Sequence, residues 1–204
     1  MLVARVSNIE AFRRWREDDE TSIDDLIRSI TTDEPSPAMM AGTAFHKAME
    51  TAEFGEHDTL KVGDYLFHLN GGEIELPPIR EMRGEKAYGD LMVSGQVDAL
   101  RGRKIIDHKT TCRFDAERYL AGVQWRYYLD IFDADEFQWN VFEIKEIAPN
   151  EYAVSPPQTL RAFRYPDMHD DCARLARDYL GFANTHLIRT PEPLPPIAQF
   201  LMAG

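Results

Sequence analysis

Cysteine is scarce in this chain of 204 residues, which contains only Cys112 and Cys172. Two cysteines cannot supply the four thiolates of an iron–sulfur or zinc site within one chain. A disulfide between them is not expected in a reducing compartment. We therefore expect both to be unbridged packing residues.

Long apolar runs are also missing. No stretch of the sequence approaches the roughly 18–20 apolar residues needed to cross a bilayer. The first residues, MLVARVSNIEAFRRWRE, are charged too early and too often for a secretory signal. These features predict a cytoplasmic protein that makes no membrane contact.

Cationic side chains are in the minority, with 23 Lys and Arg residues against 35 Asp and Glu residues and a net charge of −12. The long-range field of such a chain repels phosphate, which argues against non-specific binding of nucleic acid. Any contact with nucleic acid would need a local basic patch. Divalent metals at clustered carboxylates, or a basic partner, would serve the same purpose.

Hydrophobic periodicity and turn chemistry predict an α/β protein in which a central mixed sheet is flanked by α-helices. Ser7 and Glu10 form a capping-box pattern, Thr21 or Ser22 opens a second helix, and Pro37 lies in the first turn of a third. Three strands are predicted over 71–111, a helix over 115–132, two strands over 137–165 and a closing helix over 166–187. We expect a single domain over 1–204 with a proline-rich tail at 190–204.

The stretch GQVDALRGRKIIDHKTT, residues 95–111, carries the clearest chemical signal. Its RGR segment predicts a tight turn between antiparallel strands. With Gly102-Arg103 as the loop, Asp98 lies opposite Asp107 with Cβ atoms roughly 5 Å apart; with a longer loop the two are diagonal neighbours. Carboxylates this close force one to hold a proton unless a hard divalent cation binds both.

Lys109 shares a strand face with Asp107, because side chains alternate along a strand. An ammonium group beside a metal-bound water would stabilise a hydroxide nucleophile or the charge that develops on a phosphate. The alternative interpretation is an ordinary solvated hairpin face on which Lys109 pairs with a carboxylate.

Four elements in order, GTAFHKAME, GQVDAL, IIDHKTT and QWRYYL, resemble the motifs of the PD-(D/E)XK nuclease superfamily. They are most similar to its RecB-like branch, which includes phage-type exonucleases. The matching residues, between about 42 and 128, are Gly42 with His46, Gly95 with Asp98, Asp107 with Lys109 and Thr110, and Gln124 with Tyr128. The cysteine count places the chain with branch members that lack an iron–sulfur cluster.

The resemblance implies a restriction-endonuclease-like core and a Mg²⁺ or Mn²⁺ site formed by His46, Asp98 and Asp107, with the backbone carbonyl of residue 108 as a further ligand. It implies that Lys109 is catalytic and that Gln124 and Tyr128 orient Lys109 and the substrate phosphate. The implied activity is hydrolysis of DNA, most specifically by an exonuclease of recombination, repair or end processing.

The implied partners are single- or double-stranded linear DNA ends, a recombination protein and further copies of the chain. A phage-encoded protein of this kind would act in the host cytoplasm. Two other functions stay open: a nuclease-fold module that binds DNA or a protein partner without cutting, and a metal-dependent hydrolase of another phosphate ester.

Several side chains have alternative interpretations. His46 fits a hydrogen-bonded structural histidine as well as a ligand, and Glu50 fits a partner of the imidazole, a water-mediated metal contact or an exposed helix residue. Trp15, Trp125 and Tyr127 are candidates for stacking on an unpaired base. The candidate phosphate-binding cations are Arg13, Arg14 and Arg16; Arg80 and Arg83; Arg101, Arg103 and Lys104; Arg161 and Arg164; and Arg174 and Arg177.

Overall fold

The structure is a computed structural model that describes residues 1–32, 34–52, 58–70 and 79–188. Its helices are α1 (Val6–Glu17), α2 (Ile23–Thr31), α3 (Pro37–Thr51), α4 (Ala116–Ala121), α5 (Gln124–Ile131) and α6 (Met168–His186). Its strands are β1 (Leu2–Arg5), β2 (Thr59–Val62), β3 (Tyr65–Leu69), β4 (Ile79–Tyr88), β5 (Leu91–Arg101), β6 (Lys104–Thr111), β7 (Glu136–Ala148), β8 (Glu151–Val154) and β9 (Gln158–Phe163). The predicted tail at 190–204 lies outside the described residues.

The strands form a mixed sheet in the order β1-β5-β6-β7-β8-β3-β2, with β4 beside β5 and β9 beside β7. Three neighbouring pairs are parallel, namely β1 with β5, β6 with β7 and β3 with β8. Helices α1, α5 and α6 pack on the β4–β5 part of the sheet, and α3 packs on β2, β3 and β6. The predicted fold class, an α/β protein with a central mixed sheet flanked by helices, is confirmed, and the arrangement is consistent with the restriction-endonuclease-like core that the resemblance implies.

Two apolar clusters hold these layers together. The larger cluster surrounds Tyr127 and Phe137 and receives side chains from α1, α5 and α6. The smaller cluster joins α3 to the β3–β7–β8 region through Phe45, Phe67 and Phe142. Burial of large aromatic side chains of this kind supplies most of the driving force for packing a helix on a sheet.

The predicted capping box at the first helix is wrong. Helix α1 begins at Val6, directly after β1, and its N-cap Arg5 makes no side-chain capping bond. Ser7 therefore lies inside the helix, and Glu10 is buried. The predictions for the next two helices are correct, because Ser22 and Ser36 accept backbone N–H groups as N-caps and Pro37 occupies the first turn of α3.

The helix predicted over 115–132 is divided into α4 and α5 by Gly122 and Val123. Leu120, which ends the first part of the helix just before the break, has an exposed side chain. Val123 and Tyr127, at and beyond the break, are buried. The two-part helix matters because α5 carries Gln124 and Tyr128.

Within the described residues, no helix is long and apolar enough to cross a membrane. Both cysteines are unbridged, as expected. Cys172 is buried in the larger cluster, whereas Cys112 is exposed and is not the packing residue that was predicted.

Candidate active site

The turn between β5 and β6 has the shorter of the two predicted loops. Arg101 pairs with Lys104, so the loop is Gly102-Arg103. Gly102 adopts a φ of 58°, in the left-handed region that glycine enters at low cost. Regular pairing continues only to Ala99 and Ile106. Asp98 and Asp107 are the next residues along the two strands, at the point where the strands part.

At this opening the Asp98 side chain takes the place of a backbone carbonyl as a hydrogen-bond acceptor. Its Oδ2 accepts the backbone N–H of His108 at 2.7 Å. Burial raises the pKa of the Asp98 carboxyl, but the hydrogen bond and charge of His46 and the charge of Lys109 outweigh burial and hold that pKa below its usual range. Asp98 is therefore ionised at neutral pH.

Asp107 is almost fully buried and forms a close pair with Lys109. The ammonium Nζ lies 3.0 Å from Oδ1 and 2.9 Å from Oδ2, although Oδ2 makes no hydrogen bond of acceptable geometry. The pKa of Asp107 is raised to about 6, because burial and the charge of Asp98 raise it by more than the charge and hydrogen bond of Lys109 lower it. The crowding of two carboxylates predicted from the sequence is present.

Lys109 keeps its proton. Burial lowers the pKa of the ammonium, but the charges of Asp107 and Asp98 outweigh burial and raise it above its usual range. A protonated lysine at this position is a fixed cation at the edge of the parting strands. It cannot act as a general base.

His46 reaches the same region from α3. Its Nδ1 lies 3.3 Å from Asp98 Oδ2. Burial lowers the pKa of the imidazole, but Asp98 outweighs burial and the net shift is upward. Packing explains the glycine of this motif, Gly42, because a Cβ at that position would lie 3.0 Å from Oγ1 of Thr110. Glycine thus permits α3 to approach β6 closely.

Glu50, for which three roles were open, forms an ion pair with Lys47 on the helix surface, with Nζ and Oε2 2.5 Å apart. His46 and Glu50 do line one small recess together with Asp98 and His108. The described contacts favour the interpretation of Glu50 as a helix-surface residue.

Gln124 and Tyr128 meet one turn apart on α5. The Gln124 amide Nε2 donates to the Tyr128 hydroxyl at 3.0 Å. Burial raises the pKa of Tyr128 to about 12. Gly95 allows the ring to lie against β5, because a Cβ there would be 2.5 Å from Tyr128 Cε1. Within the described residues neither side chain hydrogen-bonds to Lys109, so their orienting role stays a prediction.

Glu10 supports the site, whereas the sequence predicts it to form a capping box at the first helix. Its Oε2 accepts the N–H of Val123 at 2.7 Å, at the N-cap of α5, and its Oε1 accepts from Arg13 and Arg14. A buried carboxylate at a helix N-terminus is favoured by the helix dipole. Glu10 therefore ties α1 to the helix that carries Gln124 and Tyr128. Its partner Val123 lies 113 positions away in the sequence, so no local sequence pattern indicates this role.

Most of the candidate DNA-binding cations have other partners. Arg80 bonds to the C-terminal carbonyls of α3, Arg103 to Asp133 and Asp135, and Arg164 to backbone carbonyls and Asp130. Arg16 and Arg174 form ion pairs on the surface. The aromatic residues predicted to stack on a base are occupied by the protein itself. Trp125 and Tyr127 are buried, and Trp15 packs on Phe12 and Phe182.

Two clefts border the site. The larger, of about 980 Å³, is lined by Tyr128, Gly95 and Gln96 together with the start of α1 and part of β4. The second, of about 370 Å³, is lined by Lys109 and Gln124 together with the remainder of α1 and the α4–α5 segment. Tyr128 lines the first cleft and Gln124 lines the second, and a hydrogen bond joins the two side chains.

The donor types around Asp98 suit a hard divalent cation, since the His46 imidazole lies 3.3 Å from the Asp98 carboxylate and the buried Asp107 Oδ2, on the neighbouring strand, has no hydrogen bond. In the described part of the chain, however, no three His, Cys, Asp or Glu side chains surround one point. Asp98 is engaged by His108 and His46, and Asp107 by Lys109. A cation would therefore bind only after these carboxylates turned toward it.

Similarity to known proteins is confined to the fold. No protein-family model and no curated protein sequence matches the chain. The crystal structure of SSO0001 superposes with a TM-score of 0.52 and 15% identity, over 91% of this chain and 78% of that one. A phage-related exonuclease from Haemophilus somnus 129PT has a TM-score of 0.36 and 12% identity, over 53% of this chain and 62% of that one. The first similarity supports the α/β fold class.

Proposed function

We propose that this chain is a Mg²⁺- or Mn²⁺-dependent deoxyribonuclease, and more specifically an exonuclease that processes linear DNA ends in recombination or repair. The observation that carries the proposal is the grouping of Asp98, Asp107 and Lys109 where β5 and β6 part, with His46 3.3 Å from Asp98. Neighbouring carboxylates whose pKa values are shifted in opposite directions, one of them fully buried, are typical of functional sites rather than of hairpin surfaces.

His46, Asp98 and Asp107 are the residues that would hold the cation, and a bound divalent ion supplies a Lewis acid for phosphate and an activated water. Lys109 contributes a permanent positive charge held by Asp107. Such a charge stabilises the extra negative charge on a phosphate in the transition state. Since Asp107 holds the ammonium with both oxygens nearby, Lys109 has little freedom to leave the site.

Tyr128 contributes a donor rather than a base. Its pKa of about 12 keeps the hydroxyl protonated at neutral pH. The hydroxyl oxygen already accepts a hydrogen bond from Gln124. Its own proton is therefore directed elsewhere, and a phosphate oxygen in the adjoining cleft is an acceptor of the right charge.

The test is the degradation of linear DNA by purified protein with Mg²⁺ or Mn²⁺, compared with Asp107→Ala and Lys109→Ala variants. We expect loss of at least about 100-fold in rate in each variant, because each removes a group that acts on the transition state. Lys47→Ala, which removes an exposed lysine of the same helix as His46, is the matched control. Equal degradation by all four proteins would remove the assignment.

A second function is favoured by one observation, the engagement of both carboxylates by side chains of the protein itself. It is a nuclease-fold module that binds DNA without cutting. Calorimetric titration with Mn²⁺ distinguishes the two functions. Binding of the ion together with DNA turnover supports the nuclease, whereas binding of DNA with no turnover at any metal concentration supports the module.

A further inference from the structure

The cleft of about 370 Å³ beside Lys109 has a local charge opposite to that of the protein. Two carboxylates line it, and four cationic side chains do so: Arg13, Arg14, Lys109 and Arg118. The whole chain carries a net charge of −12. An anionic ligand that is repelled by most of the surface therefore meets a positive field at this cleft, next to the candidate catalytic lysine.

The three arginines of the cleft are not equivalent. Arg13 is largely buried, with its side chain 13% exposed, and is bound to Glu10 and Glu17. These two carboxylates neutralise its charge and fix its position. Arg13 is therefore part of the wall and is not available to a ligand.

Arg14 is held at one end only. Its Nε donates to Glu10 at 3.0 Å, and its side chain is 62% exposed. Among the described residues nothing bonds to its two terminal nitrogens. An arginine fixed through Nε presents its remaining N–H groups in a defined direction, which suits an oxyanion.

Arg118 faces the same cleft from α4. It is exposed, and its guanidinium has no carboxylate partner in the described part of the chain. The terminal nitrogens of Arg14, which is paired with Glu10 through Nε alone, and the guanidinium of Arg118 thus offer free N–H groups to the cleft that Lys109 also lines. Phosphates repeated along a nucleic acid strand are the ligand that matches several separate cationic groups.

Resting on the proposed function, we propose that this cleft binds the sugar–phosphate backbone of the DNA strand adjoining the scissile phosphate. Arg14 and Arg118 are the phosphate ligands, and Glu10 with Arg13 forms the support that orients Arg14. The strand enters or leaves the site between α1 and α4, past Gln124.

The experiment measures binding of a fluorescent DNA oligonucleotide by anisotropy, with EDTA present so that no cleavage occurs. Arg14→Ala and Arg118→Ala are compared with Arg16→Ala, which lies on the same helix, pairs with Asp178 at 2.6 Å and does not line the cleft. We expect each cleft variant to bind roughly tenfold more weakly, as for loss of one charge-assisted hydrogen bond. The slope of log K against log salt should fall by about 1 in each.

Arg16→Ala should bind like the wild type. Equal weakening in all three variants, or in none, would overturn the cleft assignment. Cleavage of linear DNA is measured in parallel and separates this proposal from the proposed function. If the wild type cleaves DNA and the Arg14 and Arg118 variants bind DNA as tightly as the wild type, the cleft assignment alone is refuted. If DNA binding depends on both arginines but the wild type does not cleave, the nuclease assignment alone is refuted.

Discussion

The Asp98 carboxylate accepts the backbone N–H of His108 at 2.7 Å, just beyond Ala99 and Ile106, the last regular pair of β5 and β6. A side chain thus satisfies an amide that a continuing ladder would have bonded to a carbonyl. The arrangement lets the strands part without leaving an unsatisfied N–H, and it places Asp98 within 3.3 Å of His46.

This dual role predicts that two substitutions of Asp98 behave differently. Asp98→Ala removes the acceptor and should lower the free energy of unfolding by about 1–2 kcal/mol, the cost of an unsatisfied amide. Asp98→Asn keeps an acceptor oxygen and should retain most of the stability. Both should lose activity on DNA, because neither supplies a carboxylate. Urea unfolding and the cleavage assay check the two properties separately, and equal stability of both variants would contradict the role as acceptor.

Gly95 should resist substitution by alanine. The added Cβ would lie 2.5 Å from Tyr128 Cε1 and 3.3 Å from Val6 Cγ2, so the buried ring must move. We expect Gly95→Ala to lose about 1–3 kcal/mol of stability, as overpacked sites do, together with activity. Thermal unfolding provides the measurement.

Gly181→Ala is the matched control for that substitution. Gly181 lies inside α6, and a Cβ there meets nothing within 4 Å. Alanine should stabilise the helix by about 0.5–1 kcal/mol, because glycine is a poor helix former. A destabilised Gly181→Ala together with a stable Gly95→Ala would refute the packing argument.

Arg80 should hold α3 in place. Its Nη1 donates to the backbone carbonyls of Met49, Glu50 and Ala52 at 3.1, 2.6 and 2.9 Å, at the end of the helix that carries His46. Arg80→Ala should cost about 2 kcal/mol, since these carbonyls lose a charged donor, and should weaken Mn²⁺ binding.

The control for Arg80 is Arg83→Ala on the same strand, where the exposed guanidinium bonds to Gln96. We expect its effect on stability to stay within about 0.5 kcal/mol. Urea denaturation midpoints compare the two variants. Similar midpoints for the two variants would show that Arg80 does not anchor α3.

Stability should decline in acid partly through Asp130. Burial raises the pKa of this carboxyl, but hydrogen bonds from His169, Tyr88 and Lys86 outweigh burial and lower it. Because the folded pKa lies below the unfolded value of about 3.9, the contribution is fully present above that value. It is lost as the pH falls through the folded pKa.

Asp130→Asn should therefore destabilise the protein at pH 7 and reduce the difference in stability between pH 7 and pH 3. Thermal unfolding across this range gives the measurement. Asp90→Asn, in the exposed turn between β4 and β5, should leave the profile unchanged. A wild-type pH profile in Asp130→Asn would contradict the assigned role.

The features that local sequence predicts correctly depend on neighbouring residues. The β5–β6 hairpin follows from a two-residue turn containing Gly102, and the start of α3 from Ser36 and Pro37. Once the turn length is known, alternation places Asp98 and Asp107 together and Lys109 beside them. The central part of the candidate site was therefore accessible from sequence.

The features that it missed depend on distant partners. Strand β1 is four residues long and is stabilised by parallel pairing with β5, about ninety positions later. The β2–β3 hairpin gains its place by pairing with β8. A strand of four or five residues has too little periodicity to be recognised without the neighbour that pairs with it.

By itself the sequence determined the α/β class, the hairpin and the crowding of carboxylates, because turn chemistry and side-chain alternation act over a few residues. Only the tertiary structure decided that Glu10 supports α5 instead of capping α1, and that Arg14 faces the site while Arg80 caps α3. The physical reason is that charged side chains choose partners by proximity in space. Proximity between α1 and α5, or between β4 and α3, exists only after the chain has folded.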